Sequence, residues 1–135
     1  MKKMNKKGFT LIEMLVVIAI IAVLVAIIVP TVSNSTLKAK AATDAANLRS
    51  VQAEAQIAVL NANLELPASG TTTDVKSYAP SADTMVCKTN KDWTLSITMD
   101  DAGTVTAKYS TYGVDEFSKV ADGTDKNGVD VAGNG

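Results

Sequence analysis

The sequence predicts an α+β fold in which a long N-terminal helix packs against a small antiparallel sheet of three or four strands. The first half of that helix is apolar enough to be transmembrane. Three observations lead there. Between Phe9 and Pro30, 19 of 22 residues belong to the apolar set AVILMFWYC. Beyond Pro30, Leu37, Ala41, Ala45, Leu48, Val51, Ala55, Ala58 or Val59, and Ala62 recur at three- and four-residue steps, the period of one helix face. From Trp93 to Tyr109 the period falls to two, on either side of a turn signal, Asp100-Asp101-Ala102-Gly103.

Composition narrows the chemistry. The chain has 135 residues, enough for one domain, with no His, one Cys (Cys87) and one Arg (Arg49). His-dependent triads, His-rich metal sites and intrachain disulfides are therefore excluded. The carboxylates are scattered, and neither a phosphate-cradling Gly loop nor a metal-ligand spacing stands out. The expectation is a non-enzyme with no cofactor. The formal net charge is −1, but four of the thirteen basic residues, Lys2, Lys3, Lys6 and Lys7, sit in the first eight positions. Without them, nine basic side chains face fourteen acidic ones, a side-chain net of −5. Such a body is ill suited to phosphate backbones, and no nucleic acid partner is expected for the chain alone.

The first element runs from Phe9 to Val29 and is interrupted only by Thr10 and Glu13. Its 21 residues would span about 31 Å as a helix, enough for a hydrocarbon core of about 30 Å. The preceding lysines favour a cytoplasmic N-terminus; Lys38 and Lys40 on the far side weaken that bias without reversing it. A secretory signal would find cleavage sites at Ser33-x-Ser35 or Ala39-x-Ala41. A plain anchor also fits the length. Neither accounts for Glu13, whose carboxylate in lipid costs about 2–3 kcal/mol, less near the interface.

The segment Lys6-Lys7-Gly8-Phe9-Thr10-Leu11-Ile12-Glu13-Met14 resembles the processing motif of type IV prepilins and pseudopilins: a basic leader ending in Gly, then Phe, then Glu five positions into the mature chain. The close match covers 6–30, and looser similarity continues to about Asn63. The resemblance implies that residues 1–8 are a leader cut after Gly8 by a membrane prepilin peptidase, and that Phe9 becomes the N-methylated first residue. Glycine at the scissile bond suits a narrow active site because it is small and conformationally permissive. Residues 9–30 would form a membrane and filament-core helix, 31–63 its amphipathic continuation, and 64–135 a sheet-bearing head with a flexible tail. The implied partners are further copies in a helical homopolymer, the peptidase, the inner membrane before assembly, and an assembly platform protein with its ATPase. The implied location is a single-pass cytoplasmic membrane protein, N-terminus in, and then an extracellular filament. For Glu13 two roles stand open: pairing with the Phe9 amine of a neighbouring subunit, or snorkelling to the headgroups. The implied function is a type IV pilus subunit for adhesion, twitching motility or aggregation; the alternative is a pseudopilin of type II secretion or competence DNA uptake.

The remaining elements follow in order. Pro30 is read as a kink or local melt in one helix of about fifty residues, from Phe9 to near Asn63, with the helix end as the other reading. Lys38, Lys40, Asp44, Arg49, Gln52 and Glu54 fall mostly off the apolar stripe. Leu66–Ser81 reads as a loop, Thr84–Lys88 as a third strand, and Tyr112–Val120 as a fourth strand or a wrapping loop. Trp93, Leu95, Ile97 and Tyr109 are expected to cover the Leu48–Val59 helix face. Cys87 has no partner for the C-terminal disulfide many relatives carry, and reads as a small core residue. Asp122, Asp125 and Asp130 are weak calcium candidates, because the Asp125-x-Asn127-Gly128 fragment lacks the first ligand and the final Glu of a calcium loop.

Overall fold

The computed structural model describes residues 8–124 and divides the chain into two compact units, 1–35 and 36–135. Helix α1, Leu11–Asn61, runs through both, close to the expected bounds. Its first turn is closed by a reciprocal pair of bonds. Thr10 N–H donates to Glu13 Oε2 (2.7 Å), and Glu13 N–H donates to Thr10 Oγ1 (3.3 Å). This is a capping box, which satisfies donors that a helix start otherwise leaves unpaired.

Pro30 lies inside α1, so the chain is neither melted nor ended there. Proline has no N–H to offer the carbonyl four residues back. Hydroxyls gather around this gap: Thr31, Ser33 and Ser35 donate to the carbonyls of Ile27, Val29 and Thr31 at 3.1–3.2 Å. Back-bonding of this kind gives helix carbonyls an added partner beside a proline.

In the second unit α1 is the floor of the head. Ala41, Ala45, Leu48, Val51, Ala55 and Val59 are buried, which is the stripe the sequence indicated, with Val59 rather than Ala58 at the ambiguous position. Three strands form an antiparallel sheet in the order β1 (Thr72–Asp74), β2 (Leu95–Asp100) and β3 (Val105–Tyr109). Leu95 lies opposite Tyr109 and Met99 opposite Val105. The hairpin turn is set by the expected residues: Asp100 Oδ1 accepts the N–H groups of Ala102 (3.0 Å) and Thr104 (2.8 Å), and Gly103 takes φ +81°. Leu95, Ile97, Met99, Val105, Ala107 and Tyr109 point inward and are buried.

Three expectations are corrected. Thr84–Lys88 is not a strand. A 3₁₀ turn at Pro80–Thr84 leads into a loop, and the third strand comes from Thr72–Asp74, inside the segment read as loop. Tyr112–Val120 is neither strand nor loop but enters helix α2, Val114–Asp122, which buries Phe117 and Val120 and ends at Gly123 with φ +83°. Trp93 precedes β2 and does not join its inward row; it stacks on Tyr112 (4.8 Å between centroids) and meets Phe117 edge-on at 6.3 Å.

The physical reason for the first correction is Asp44. This α1 carboxylate is fully buried among the apolar stripe rather than off it. It accepts from Lys88 N–H (2.7 Å), Thr89 N–H (2.8 Å), Thr89 Oγ1 (2.6 Å) and the Cys87 thiol (3.3 Å). The backbone of the 87–89 loop thus spends its donors on a side chain instead of a sheet. Polar α1 residues fasten other levels of the head. Gln56 donates to Gly103 O (3.0 Å) and accepts from Val105 N–H (3.0 Å), Glu54 accepts from Ser81 Oγ, and Arg49 donates to Ser118 Oγ (3.0 Å).

Replacing Asp44 by Ala would leave three strong donors unpartnered, at a cost of about 2–4 kcal/mol. The expected outcome, read by thermal melting of the detergent-solubilised chain, is a Tm lowered by roughly 10 °C or more. A melt unchanged within a degree would show that Asp44 does not hold the loop.

Candidate functional site

The residues singled out from the sequence gather at the start of α1. Gly8 is exposed, and a Cβ built there meets nothing within 4 Å. The fold itself therefore has no need of glycine at this position. Phe9 follows with 82% of its surface exposed, then Thr10 and the first turn. Glu13 sits one turn inside, bound to Thr10 as described. Sequence reasoning missed this cap, although its signal, Thr-x-x-Glu ahead of an apolar run, was legible.

Behind that turn every large apolar side chain from Leu11 to Val32 is exposed, between 44% and 84%. No described residue of this unit covers them. The helix is long and apolar enough to cross a membrane. Contiguous apolar surface of this extent marks a membrane or protein partner rather than a free aqueous face. Lys2, Lys3, Lys6 and Lys7 lie outside the described residues.

The other candidates are placed as follows. Asp122 is the last residue of α2; its carboxylate accepts from Thr124 N–H (2.8 Å) and Oγ1 (2.6 Å), which hold it below the usual carboxylate range. Lys38 adds to that shift, and its ammonium lies where a Cβ on Gly123 would fall, 2.6 Å away. Asp125 and Asp130 lie outside the described residues. Among the described residues no cluster of three or more Cys, Asp or Glu side chains could hold a metal ion. Cys87 is fully buried, and burial, reinforced by Asp44, pushes its thiol up from 9.0 to about 11, which suits an inert core residue. Tyr109 is likewise buried. Its hydroxyl finds no hydrogen-bond partner among the described residues, and burial, with the Asp44 charge behind it, raises the phenol from 10.0 to about 12. The Asn47 side chain acts the other way, from outside good hydrogen-bonding geometry.

An apolar helix headed by Gly-Phe, with a glutamate one turn inside, is the arrangement found at the start of prepilin-like subunits. The prokaryotic N-terminal methylation motif matches the chain over residues 3–29, and it is characteristic of type IV pilins and pseudopilins. The N-terminal segment of the chain is thus similar to that of type IV pilin- and pseudopilin-like prepilins. No solved structure matches it.

The two buried acids set an alkaline limit on stability. The native head keeps Cys87 and Tyr109 protonated where the unfolded chain has lost those protons. Stability must then fall as pH rises, from 9 toward 11 through the thiol and from 10 toward 12 through the phenol. Thermal melts of the full chain at stepped pH should show this decline. In Cys87→Ala, whatever its starting stability, the slope between pH 9 and 11 should be shallower; an unchanged slope would show that the thiol does not contribute.

Proposed function

We propose that this chain is the structural subunit of a type IV filament, cut after Gly8, N-methylated at Phe9, held in the cytoplasmic membrane by residues 9–30 with its head outside, and then polymerised. The uncovered apolar surface of α1 carries this reading. Lipid covers that surface before assembly and sister helices cover it afterwards, so one face serves both states. Gly8 fits the same account, because a glycine the fold does not need is intelligible as a requirement of a peptidase. The proposed partners are that peptidase, an assembly platform protein with its ATPase, and further copies of the chain. The role so assigned is structural, in a surface filament serving adhesion, twitching motility or aggregation.

In the second unit the face of α1 turned away from the head supports packing among copies. Ala42, Ala46, Ser50, Ala53, Ile57 and Leu60 are exposed at three- and four-residue steps, and Ile57 and Leu60 stand out at 61% and 66%. Small residues let a neighbouring helix approach, and the two larger ones gain burial when it does.

Glu13 is assigned the pairing role. Cleavage creates a positive amine at Phe9, and a carboxylate inside a dry bundle requires a cation. Its capping bonds to Thr10 do not compete with this, since a carboxylate has four lone-pair sites and those bonds use one oxygen.

Mass spectrometry of material sheared from producing cells should find a mature N-terminus at methylated Phe9 within abundant fibres. A chain retaining Met1, or starting at Thr36, would overturn the reading. Glu13→Ala should be cut at Gly8 as in the parent while filament yield falls at least about ten-fold, and normal filaments from that variant would remove Glu13 from assembly.

A further inference from the structure

The charges of the second unit separate along α1. Five exposed lysines gather at the end where α1 enters the head: Lys38 and Lys40 on α1, Lys88 and Lys91 on the loop beside it, and Lys119 in the last turn of α2. Contacts fix this level. Lys38 Nζ lies 2.6 Å from where a Cβ on Gly123 would fall, so α2 ends at Lys38. Lys88 N–H donates to Asp44 (2.7 Å), which pins the 87–89 loop less than two helical turns from Lys38. Along α2, Lys119 lies between Ser118, held by Arg49 (3.0 Å), and the helix end. The exposed acids of this region are Asp92 and Asp122, and Asp122 already feels Lys38. Asp44 is buried, its oxygens spent on the 87–89 loop. A cationic surplus remains.

The other end carries the opposite sign. Past Gln56, which clips Gly103 and Val105, the charged residues are Glu65, Asp100 and Asp101, with no Lys or Arg at 57–73 or 99–105. These acids are anchored. Asp100 Oδ1 accepts from Ala102 and Thr104 N–H, and Asp101 Oδ2 accepts from Gly70 N–H (2.9 Å). The Gly70 bond holds Asp101 below the usual carboxylate range, so its charge persists. Each end also shows an apolar side chain: Val86, 48% exposed, two residues before Lys88, and Leu66, 58% exposed, against the turn at Gly103.

Within one copy the two ends do not neutralise each other. From Lys38 to Asn61 α1 rises about 35 Å, several times the Debye length of about 8 Å at physiological ionic strength. Only a second molecule can bring these charges together.

We propose that the basic end of one head seats on the acidic end of the next copy, so that heads stack end to end along α1. This inference rests on the filament reading above. Stacking in this sense leaves the α1 segments of successive copies pointing the same way, as a shared helical core requires. The contact joins two different surfaces, and such heterologous contacts propagate into open helical assemblies instead of closing as dimers. Val86 and Leu66 gain burial in it, while the complementary charges set the approach and disfavour an inverted copy. The burial of Asp44 becomes intelligible here too, since the loop it holds presents Lys88 and Lys91.

The test uses the full-length chain in cells that assemble it. In purified parental filaments a zero-length carbodiimide cross-linker should join one of the five lysines to Glu65, Asp100 or Asp101, read by mass spectrometry of tryptic peptides. The span of one head makes every such link intermolecular. Lys88→Glu with Lys91→Glu, and separately Glu65→Lys with Asp101→Lys, should each cut sheared filament yield at least about ten-fold, because the opposed charges no longer attract. All four exchanges together should bring it back to within about three-fold of the parent. Links confined to other pairs, parental yield from both variants, or a combination as poor as either alone would overturn the end-to-end contact and leave the filament reading standing. Loss from the lysine variant alone, with the acidic-end variant at parental yield, would assign the lysines to anionic lipid and overturn the contact equally. An unsubstituted chain that never polymerises would overturn both.

Discussion

The head depends on one constraint: a three-stranded sheet has a single face to bury, and here the α1 stripe covers it, with Phe117 and Val120 of α2 joining the same core. Two or three strands alone are marginal in water. The buried row Ala41, Ala45, Leu48, Val51, Ala55 and Val59 supplies the opposing surface, but half of it is alanine, which contributes little area. Polar side chains of the same helix make up the difference. Asp44 holds the 87–89 loop, Arg49 reaches α2, Glu54 reaches the turn at Ser81, and Gln56 clips the tip of the hairpin. These ties occur at successive levels along α1, so the helix orients the head as well as covering it. Thin apolar packing with directional clamps also keeps the helix slender, which a neighbouring helix can exploit on the other side.

Regular periodicity explains which elements were legible in the sequence. The α1 stripe and the β2–β3 hairpin each repeat a pattern over enough residues to stand out, and Asp100 to Gly103 is a turn by its chemistry. Asp44 was obscured because charge was read as exposure; only the unpaired donors of Lys88 and Thr89, distant in sequence, make its burial intelligible. β1 has no alternation to read, since all three of its residues are exposed. Met85-Val86-Cys87 looks like a strand by composition, yet its neighbourhood is organised by a side chain on another element. Helix α2 was more accessible than the reading allowed. Val114, Phe117, Val120 and Ala121 are spaced for one face, Lys119 sits in the last turn, and Gly123 supplies the left-handed end. At the N-terminus the Gly, Phe and Glu pattern is plain in the sequence, whereas the Thr10 cap on Glu13 rests on a single Thr-x-x-Glu spacing inside an otherwise apolar run.

That cap sharpens what Glu13 can do. A carboxylate tethered to Thr10 is not a free, flexible charge at the membrane boundary. Its orientation is fixed by the helix start before any partner arrives, which lowers the ordering cost of a later contact. On the proposed reading, the amine created at Phe9 meets a preoriented acceptor. The same geometry gives Thr10 a share in that positioning, although nothing in its polarity or place in the motif singles it out.

Apolar packing alone would leave a filament poorly specified. The side chains from Met14 to Val29 are apolar all round the helix, so on the proposed reading sliding or rotating one copy against another exchanges similar contacts at little cost. Directional interactions must select among those arrangements, as buried polar groups select register in coiled coils. Charge pairing at Glu13 would fix axial stagger, because a displaced copy leaves a carboxylate without its cation. That term is worth little beside the buried apolar area. On the proposed reading it distinguishes one stagger from many, so the apolar surface would supply the affinity while a polar group sets the register.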